Sequence, residues 1–363
     1  MLIAAVSSRP FVKAAATAGY SVVALDVFAD ADTKRAAEHV YKIEYANSGF
    51  DAKQFEAALD QINTRDMLGF AYGSGFEAQP DLLERISKRL PLIGNQPEVV
   101  RQIKDAAHFF DVLDQLAIPH PEVSFKSLAN PEGWLCKEEG GSGGTHVLDA
   151  GANQALPDGQ YYQRVMDGIP VSMLFAANGS EAKVVGFNQQ WVAPTAGKPY
   201  RYGGIVGNAN LPSGIKIALQ TAAQKIAAAF SLRGLNSLDV IWNGEQFWVL
   251  EINPRLSSTL DLYQSKESNL FALHVQAVGG DLSQFPTISS CSRARNVLYA
   301  SQDLVIPENF SWPEWTADIP MPLSCIPHAQ PICTVLAEAD HAGDAQALVL
   351  ARVAELSTLL FKI

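Results

Sequence analysis

The sequence predicts a mixed α/β and α+β protein, and two observations carry this prediction. The first is a strand–helix–strand opening, in which apolar runs at Met1–Val6 and Ser21–Asp26 flank an alanine-rich segment at Arg9–Ala18. This order is typical of a parallel sheet. The second is a pair of apolar, β-prone runs on either side of Asn243-Gly244, which indicates an antiparallel hairpin. A length of 363 residues favours two or three domains.

Composition and charge exclude several classes of protein. The formal net charge of −11 argues against binding to nucleic acid or to an anionic membrane. No stretch approaches the roughly 18 uninterrupted apolar residues of a membrane span. The N-terminus has no basic start, and Arg9 and Lys13 interrupt its apolar run, so it does not fit a signal peptide. The cysteines have no C-x-x-C spacing, which favours a reduced, cytoplasmic protein.

The N-terminal region lacks the signature of a dinucleotide-binding protein. A nicotinamide-binding fold needs G-x-G-x-x-G after its first strand, and the segment VSSRPF at that place has no glycine. Gly19 ends the first helix, and a second helix is expected at Asp32–Glu38. The segment Gly73–Glu77 follows the strand-like run LGFAY. It is either a ligand-facing loop at the carboxyl edge of the sheet or an ordinary turn.

A linker and one long helix are expected next. Pro91–Pro97 is predicted to be the linker, and Pro97 is well placed as the first residue of a helix that runs to about Leu116. Apolar residues recur along this segment at helical spacing. Lys104 lies within the predicted helix, and from its position alone it is a solvated helix lysine.

A glycine-rich segment, Trp134–Thr145, is the first strong candidate for a binding site. A short strand leads to Lys137, and four glycines follow in the loop after it. Glycines let backbone N–H groups turn toward an anion without obstruction by Cβ, and a lysine at the root of the loop adds positive charge. The loop therefore indicates phosphate binding, with a flexible linker as the alternative. The absence of G-K-[ST] excludes a P-loop.

The hairpin carries the second candidate, a metal site. Glu251 and Asn253 are two residues apart on one strand and therefore share a face. Asp239 faces the same side if the turn holds an odd number of residues, such as Asn243–Glu245, and the opposite side if it holds two. Two carboxylates and an amide oxygen on one face suit Mg²⁺ that carries nucleotide phosphates. The alternative is an edge hairpin with solvated acids.

These two segments closely resemble the ATP-grasp ligases. Lys137–Gly144 resembles their phosphate loop K-P-x-x-G-S-G-G, with Glu138 where proline is usual, and Asp239–Arg255 resembles their metal and phosphate motif, a D-containing strand followed by E-x-N-P-R. The stretches SSRPFVKAAATAGYSVVALDVFADADT, ADIPMP and PICTVLAEA resemble one branch, the predicted ATP-dependent carboligases. The resemblance covers nearly the whole chain.

The resemblance implies a fold and its division into domains. Residues 1–94 would form a Rossmann-like domain that precedes the ATP-grasp domain. Residues 95–289 would form the ATP-grasp domain, two α+β lobes that hold the nucleotide and the metal between them. Residues 290–363 would form a small C-terminal α+β subdomain.

The resemblance also implies catalytic and metal-binding roles. Arg201 would bind the acyl phosphate or the carboxylate, and Gln189 or Gln190 would line the acceptor site. Lys137 and Arg255 would supply fixed positive charge to the phosphates. One or two Mg²⁺ ions, with Mn²⁺ as an alternative, would be held by Asp239, Glu251 and Asn253.

The implied nucleotide site extends beyond the glycine loop. Backbone groups of YYQRVM would hold adenine, with Met166 packed on the purine. Asp167 is assigned to the ribose by position only, because Pro170 stands where relatives place a glutamate. Lys104 lies two residues before Ala106, which holds the place of the family's usual helix lysine. The predicted ATP-binding residues are Lys104, Lys137, Gly140, Gly141, Ser142, Gly143, Gly144, Gln163, Arg164, Val165, Met166 and Asp167.

The implied reaction joins a carboxylate to an amine. ATP would convert the carboxylate to an acyl phosphate, the amine would attack it, and ADP and phosphate would leave. One alternative is a carboxylating enzyme similar to biotin carboxylase, and another is an ATP-binding protein without chemistry. The branch resemblance implies an amino acid such as glutamate and a small amine or cofactor precursor, including a one-carbon cofactor. A homodimer is compatible with the resemblance, since many relatives are dimers.

Overall fold

The N-terminal part of the chain forms a five-stranded parallel sheet with helices on its faces. A computed structural model describes residues 1–46, 49–151 and 156–361. The strand order is β3-β2-β1-β6-β7, and every neighbouring pair is parallel. The elements of this part are β1 (Leu2–Ala5), α1 (Arg9–Thr17), β2 (Val23–Asp26), α2 (Ala31–Ala36), β3 (His39–Lys42), β4 (Tyr45–Ala46), β5 (Gly49–Phe50), α3 (Ala52–Gln61), β6 (Phe70–Tyr72), α4 (Pro80–Ser87) and β7 (Leu92–Ile93).

Two sequence predictions are wrong at the end of this region. The segment Pro91–Pro97 is not a plain linker, because β7 lies within it and is a buried edge strand of the parallel sheet. The helix predicted from Pro97 to Leu116 is two helices, α5 (Pro97–Lys104) and α6 (Ala106–Gln115). Asp105 separates them with an extended backbone conformation, and its carboxylate caps α6 by accepting a hydrogen bond from the His108 N–H at 3.0 Å.

The rest of the chain is built on two antiparallel sheets. The smaller sheet has the order β10-β9-β11-β8, and the larger has the order β16-β15-β12-β13-β14-β17-β21-β19. The strands and helices of this part are β8 (Val123–Ser124), β9 (Trp134–Glu138), β10 (Val147–Asp149), β11 (Gln160–Arg164), β12 (Ile169–Asn178), β13 (Ala182–Val192), β14 (Tyr202–Gly207), α7 (Ser213–Ala229), β15 (Arg233–Trp242), β16 (Phe247–Asn253), a 3₁₀ helix (Ser258–Leu262), α8 (Leu270–Val278), β17 (Ser292–Tyr299), β18 (Leu304–Val305), β19 (Thr316–Ala317), β20 (Cys325–Ile326), β21 (Pro331–Ala339) and α9 (Ala342–Phe361). A separate two-stranded sheet pairs β18 with β20.

The large sheet crosses the predicted boundary between residues 289 and 290. Strands β17, β21 and β19 come from the C-terminal region and extend the same sheet that β12–β16 begin. The mixture of a parallel sheet with antiparallel sheets confirms the α/β and α+β fold class. The three-domain division itself stays a prediction.

Successive residues of β12 show how the large sheet is covered on both faces. Phe175 packs in a core with Phe110 of α6 and Ile226 of α7. Leu174 points the other way and packs in a core with Phe11 of α1 and residues of α8. Because neighbouring residues of a strand face opposite sides, the central strand is apolar on both faces and is buried between helices.

A buried ionic network joins distant parts of the chain. The guanidinium of Arg9 donates to Asp318 at 3.0 Å and to Asp261 at 2.6 Å. Arg9 is 3% exposed, and a buried charge of this kind is tolerated only when it is paired. Burial raises the pKa of the Asp318 carboxyl, but Arg9 outweighs this and holds it well below its usual range. The network fixes α1 against the segment after the hairpin and against the C-terminal region.

His274 on α8 ties the parallel sheet to the large sheet. Its Nδ1 accepts a hydrogen bond from the Leu235 N–H at 2.9 Å, so the ring proton lies on Nε2, which donates to the Ile93 carbonyl at 2.9 Å. The side chain is 1% exposed, and burial lowers its pKa to about 4. The neutral imidazole is therefore the form that fits this position.

We expect His274 to make the folded state sensitive to acid. Its pKa is lower in the folded state than the unfolded value of about 6.5, so the unfolded chain takes up the proton first. The contribution is fully present above pH 6.5 and is lost as the pH falls through about 4, a change on the order of 3 kcal/mol. Urea unfolding of His274→Gln should show a flatter fall in the free energy of unfolding over this range.

The control for this prediction is His108→Gln, on the exposed side of α6. This variant should keep the slope of the wild type. A slope for His274→Gln equal to that of the wild type would contradict the assignment.

None of the helices in the described part of the chain is both long and apolar enough to cross a membrane.

Candidate functional site

The hairpin of β15 and β16 brings the predicted metal ligands together, and it does so through a shift in strand register that the sequence does not predict. Residues 243–246 connect the strands, because Trp242 pairs with Phe247. The three-residue turn considered above is therefore wrong, and a four-residue turn alone would place Asp239 opposite Leu250. A bulge shifts the register, so that Asp239 pairs with Glu251. The two carboxylates thus share a face.

Amide groups hold the carboxylate of Asp239 in place. The Asn253 side chain donates to Asp239 Oδ2 at 2.8 Å, and Gln190 of β13 donates to Oδ1 at 3.2 Å. Burial raises the pKa of Asp239, and the negative charge of Glu251 raises it further. Two carboxylates therefore face each other across the ladder.

Positive side chains approach this pair from two directions. Lys104 Nζ lies 3.7 Å from Glu251 Oε2, and the break between α5 and α6 places the lysine at the last residue of α5. Lys137 of β9 is 6% exposed and donates to Gln163 Oε1 at 3.1 Å. Burial lowers the pKa of Lys137, and the charges of Glu251 and Asp239 offset part of this effect. Burial alone would raise the pKa of Glu251, but the nearby lysines hold it below its usual range.

The glycine-rich loop lies against two other parts of the chain. A Cβ on Gly140 would lie 2.7 Å from the Ala78 Cα, and a Cβ on Gly144 would overlap the carbonyl oxygen of Tyr200. The carbonyl of Gly143 accepts a hydrogen bond from the Tyr202 N–H at 2.9 Å. Gly140, Gly143 and Gly144 all have φ near +70°, which L residues with a Cβ rarely adopt. The loop therefore follows a path close to other backbone that glycine permits.

Ala106 occupies the position at which the ATP-grasp resemblance implies a lysine. Ala106 begins α6, and its N–H donates to the Glu139 carboxylate of the loop at 3.0 Å. The start of α6 is thus tied to the glycine-rich loop, and Lys104, two residues earlier, reaches the carboxylates. This position of Lys104 depends on the end of α5 at Asp105.

The residues of the predicted adenine segment differ in which polar groups remain free to bind a nucleotide. Gln163 is 1% exposed, and its Nε2 has no hydrogen-bond partner among the described residues. The N–H groups of Arg164 and Val165 are already used, since they donate to the carbonyls of Glu122 and Gly133. The Arg164 side chain stacks on Trp134, 5.6 Å from the ring centroid, and Val165, Met166 and Asp167 lie in the exposed connection to β12.

Arg201 is not brought to the carboxylates by any contact in the described structure. Its Nε donates to the Ala193 carbonyl at 2.8 Å, and its Nη1 donates to the Ala329 carbonyl at 2.9 Å. The guanidinium also stacks on Tyr299, 3.6 Å from the ring centroid. These contacts anchor β14 to the C-terminal region, and the acyl-phosphate role of Arg201 stays a prediction.

Arg255 lies at the site and forms an ion pair with Glu77, a residue of the segment Gly73–Glu77. Its Nε donates to Glu77 Oε1 at 2.7 Å, and its Nη2 donates to Asn253 Oδ1 at 3.2 Å. Burial opposes ionisation of Glu77, but Arg255 and Lys104 hold the pKa of its carboxyl below the usual value. The segment Gly73–Glu77 is therefore part of the site region, which favours the loop interpretation over an ordinary turn.

Sequence reasoning missed one further side chain, His146. It follows the glycine-rich loop, and its ring packs against Gly141 closely enough that a Cβ there would overlap it. Its electrostatic neighbours are Glu251, Lys137 and Lys104. The available signal was a histidine directly after a phosphate-type loop, at the start of a strand.

The donor set fits a hard divalent cation. No group of three or more His, Cys, Asp or Glu side chains with metal-binding geometry occurs within residues 1–46, 49–151 and 156–361. The candidate ligands are instead two carboxylates and one amide oxygen, from Asp239, Glu251 and Asn253. Oxygen-only sites of this kind suit Mg²⁺, and a cation would relieve the repulsion that raises the pKa of Asp239.

Three solved structures share the fold of the chain at low sequence identity. A biotin carboxylase–β,γ-ATP complex from Campylobacter jejuni has a TM-score of 0.73 and 14% identity, covering 96% of this chain and 89% of that one. The biotin carboxylase domain of 2-oxoglutarate carboxylase from Hydrogenobacter thermophilus has a TM-score of 0.73 and 11% identity, covering 96% and 88%. An L-amino acid ligase from Bacillus licheniformis has a TM-score of 0.69 and 13% identity, covering 98% and 96%.

A sequence comparison agrees with this structural likeness. No curated protein sequence matches the chain. The sequence model of a family described as an ATP-grasp domain matches residues 103–259, which include α6, the glycine-rich loop and the whole hairpin. Residues 103–259 are therefore identified as an ATP-grasp domain, and the fold of the chain agrees with this identification.

Proposed function

We propose that the protein is an ATP- and Mg²⁺-dependent ligase that joins a carboxylate to an amine through an acyl phosphate. One observation carries this proposal: Asp239 and Glu251 pair on one face of the hairpin, and Lys104 and Lys137 approach these two carboxylates. This arrangement places hard oxygen ligands and fixed positive charge around a single point. Phosphoryl transfer needs such positioning and charge neutralisation more than it needs a protein nucleophile.

Each side chain has a role in this proposal. Asp239, Glu251 and Asn253 would hold the metal, one or two Mg²⁺ or Mn²⁺ ions, which would neutralise charge on the transferring phosphoryl group. Lys104, Lys137 and Arg255 would bind phosphate oxygens and fix the nucleotide. Arg201 would bind the carboxylate or the acyl phosphate.

The glycine-rich loop and β11 would complete the nucleotide site. Backbone N–H groups of the loop would bind phosphate oxygens and exclude water, which would otherwise hydrolyse the acyl phosphate. The buried Nε2 of Gln163, which has no hydrogen-bond partner within the described part of the chain, would be a donor to the adenine. Backbone groups at 164–166, apart from the two N–H groups that donate to Glu122 and Gly133, and the side chains of Met166 and Asp167 would complete the base and ribose contacts.

The acceptor is proposed only by class. An amino acid such as glutamate, joined to a small amine or to a precursor of a one-carbon cofactor, is the substrate pair that we propose. A cytoplasmic homodimer is the proposed form, and the Hydrogenobacter relative was solved as a dimer.

A carboxylase is the second candidate function. The observation that favours it is the structural match to two biotin carboxylases, which extends over 88–89% of the length of those chains. One of them was solved in complex with MgADP and bicarbonate. Bicarbonate carries a charged CO₂⁻ group as a carboxylate does, so the same metal and phosphate contacts would serve it.

Hydroxylamine trapping distinguishes these functions. The protein is incubated with ATP, Mg²⁺ and pools of carboxylates, with hydroxylamine as a general amine, and ADP and hydroxamate are measured. A ligase should release ADP only when a carboxylate is present and should form an equal amount of hydroxamate. ADP release with bicarbonate alone would favour the carboxylase, and tight ATP binding with no ADP in any pool would contradict both enzymatic functions.

A further inference from the structure

His146 is half-buried in the candidate site and has an unused polar atom there. Its Nδ1 is shielded from solvent and has no hydrogen-bond partner among the described residues. Leaving a buried nitrogen of this kind unpaired costs free energy in the absence of a ligand. Structures tolerate such atoms mainly where a ligand or water supplies the partner.

The surroundings of this nitrogen indicate what the ligand would be. The ring lies within the electrostatic reach of Lys137 and Lys104, which repel a positive charge, and of Glu251, which attracts one. Burial lowers the pKa of His146, and Glu251 together with the backbone of Ser142 offsets only part of this effect. The ring is therefore neutral at pH 7, and a neutral imidazole can donate one hydrogen bond without adding charge.

The ring of His146 packs closely against the glycine-rich loop. One face lies against Gly141, where a Cβ would overlap the ring. The loop that carries Gly141 lies against Ala78 through Gly140 and against Tyr200 through Gly144. The loop is therefore restrained on both sides of Gly141, and His146 packs against this restrained loop. The charged groups of the proposed phosphate site are its electrostatic neighbours.

We propose that His146 is a further substrate-contacting residue, whose Nδ1–H donates a hydrogen bond to an oxygen of the terminal phosphate of ATP. This inference rests on the proposed nucleotide site. It goes further by assigning a side chain to one phosphate group, and it gives the site a means to distinguish ATP from ADP. A residue that only supported the loop would not discriminate between the two nucleotides.

Isothermal titration with two nucleotides tests the inference. The probes are β,γ-imido-ATP, which keeps a terminal phosphate, and ADP, which lacks it, each with Mg²⁺. His146→Phe keeps the ring volume against Gly141 but removes both nitrogens. Its affinity for the imido analogue should fall about tenfold or more, the size expected for a hydrogen bond to a charged group, and its affinity for ADP should change less than about twofold.

Two amide variants then identify the ring nitrogen. In His146→Asn the side-chain amide lies near the position of Nδ1, and in His146→Gln it lies near Nε2. The Asn variant should keep most of the affinity for the imido analogue, and the Gln variant should lose it. If His146→Phe does not fold, this contrast decides alone, because equal weakening in both amide variants would overturn the inference.

The remaining outcomes separate the inference from the proposed function. If the wild type binds neither nucleotide, the nucleotide site itself is wrong. If the wild type binds both and His146→Phe binds both equally well, the site stands and the role of His146 is overturned. Equal weakening toward both nucleotides would show a structural role and would also overturn it. His108→Phe, on the exposed side of α6, is the control and should leave both affinities unchanged.

Discussion

Glu251→Gln should abolish ADP formation while the protein remains folded. The substitution keeps the shape of the side chain but removes the negative charge that faces Asp239 and Lys104. Loss of a single preorganised electrostatic contact commonly lowers kcat by about 100-fold or more, and we expect at least this in the hydroxylamine assay. Because Glu251 lies at a partly exposed position (29% of the side chain), its replacement should change stability little.

A second measurement isolates the metal assignment. MgADP should raise the Tm of the wild type, because a ligand that binds only the folded state stabilises it. The increase should be much smaller for Glu251→Gln. Glu245→Gln, in the exposed connection of the same hairpin, is the matched control and should behave as the wild type does. Full turnover by Glu251→Gln would refute the metal site.

Gly144→Ala should remove most of the affinity for ATP through the shape of the glycine-rich loop. A Cβ at this position would overlap the backbone carbonyl of Tyr200, which cannot move aside as a flexible side chain can. The residue also has φ of +71°, a conformation that costs an L residue roughly 1–2 kcal/mol. We expect the affinity for β,γ-imido-ATP to fall about 100-fold, measured by titration calorimetry.

The neighbouring glycine supplies the control for the backbone cost. Gly143 has φ of +68°, but a Cβ there would meet nothing within 4 Å. Gly143→Ala should therefore lose at most about thirtyfold in affinity, which is the upper end of the cost of the left-handed conformation alone. Equal losses in the two variants would show that contact of the loop with Tyr200 does not matter for nucleotide binding.

The hairpin shows how far sequence reasoning reached and where it stopped. The period-2 pattern placed Glu251 and Asn253 on one face, and the structure agrees. The side on which Asp239 lies depends on the register, and the register depends on the bulge. A bulge has no clear sequence signal when the bulged residue, here Leu250, is an ordinary apolar residue of a strand.

Lys104 shows the same limit on the helical side. Counted along one continuous helix, it lies at the wrong position for the phosphate role. The break at Asp105 changes the direction of the chain, and the lysine then lies 3.7 Å from Glu251. Asp105 is a good N-cap residue, so the break had a signal, but the apolar spacing ran on across it and favoured a single helix.

The sequence by itself determined the class of the fold, the glycine-rich loop and the residue types of the proposed metal site, because these depend on local periodicity and on the chemistry of side chains. Only the tertiary structure decided which groups meet. The pairing of Asp239 with Glu251, the anchoring of Arg201 on Tyr299 and the approach of His146 to the charged cluster all join residues far apart in the chain. Such contacts are set by strand register and by the packing of whole elements, which local patterns do not encode.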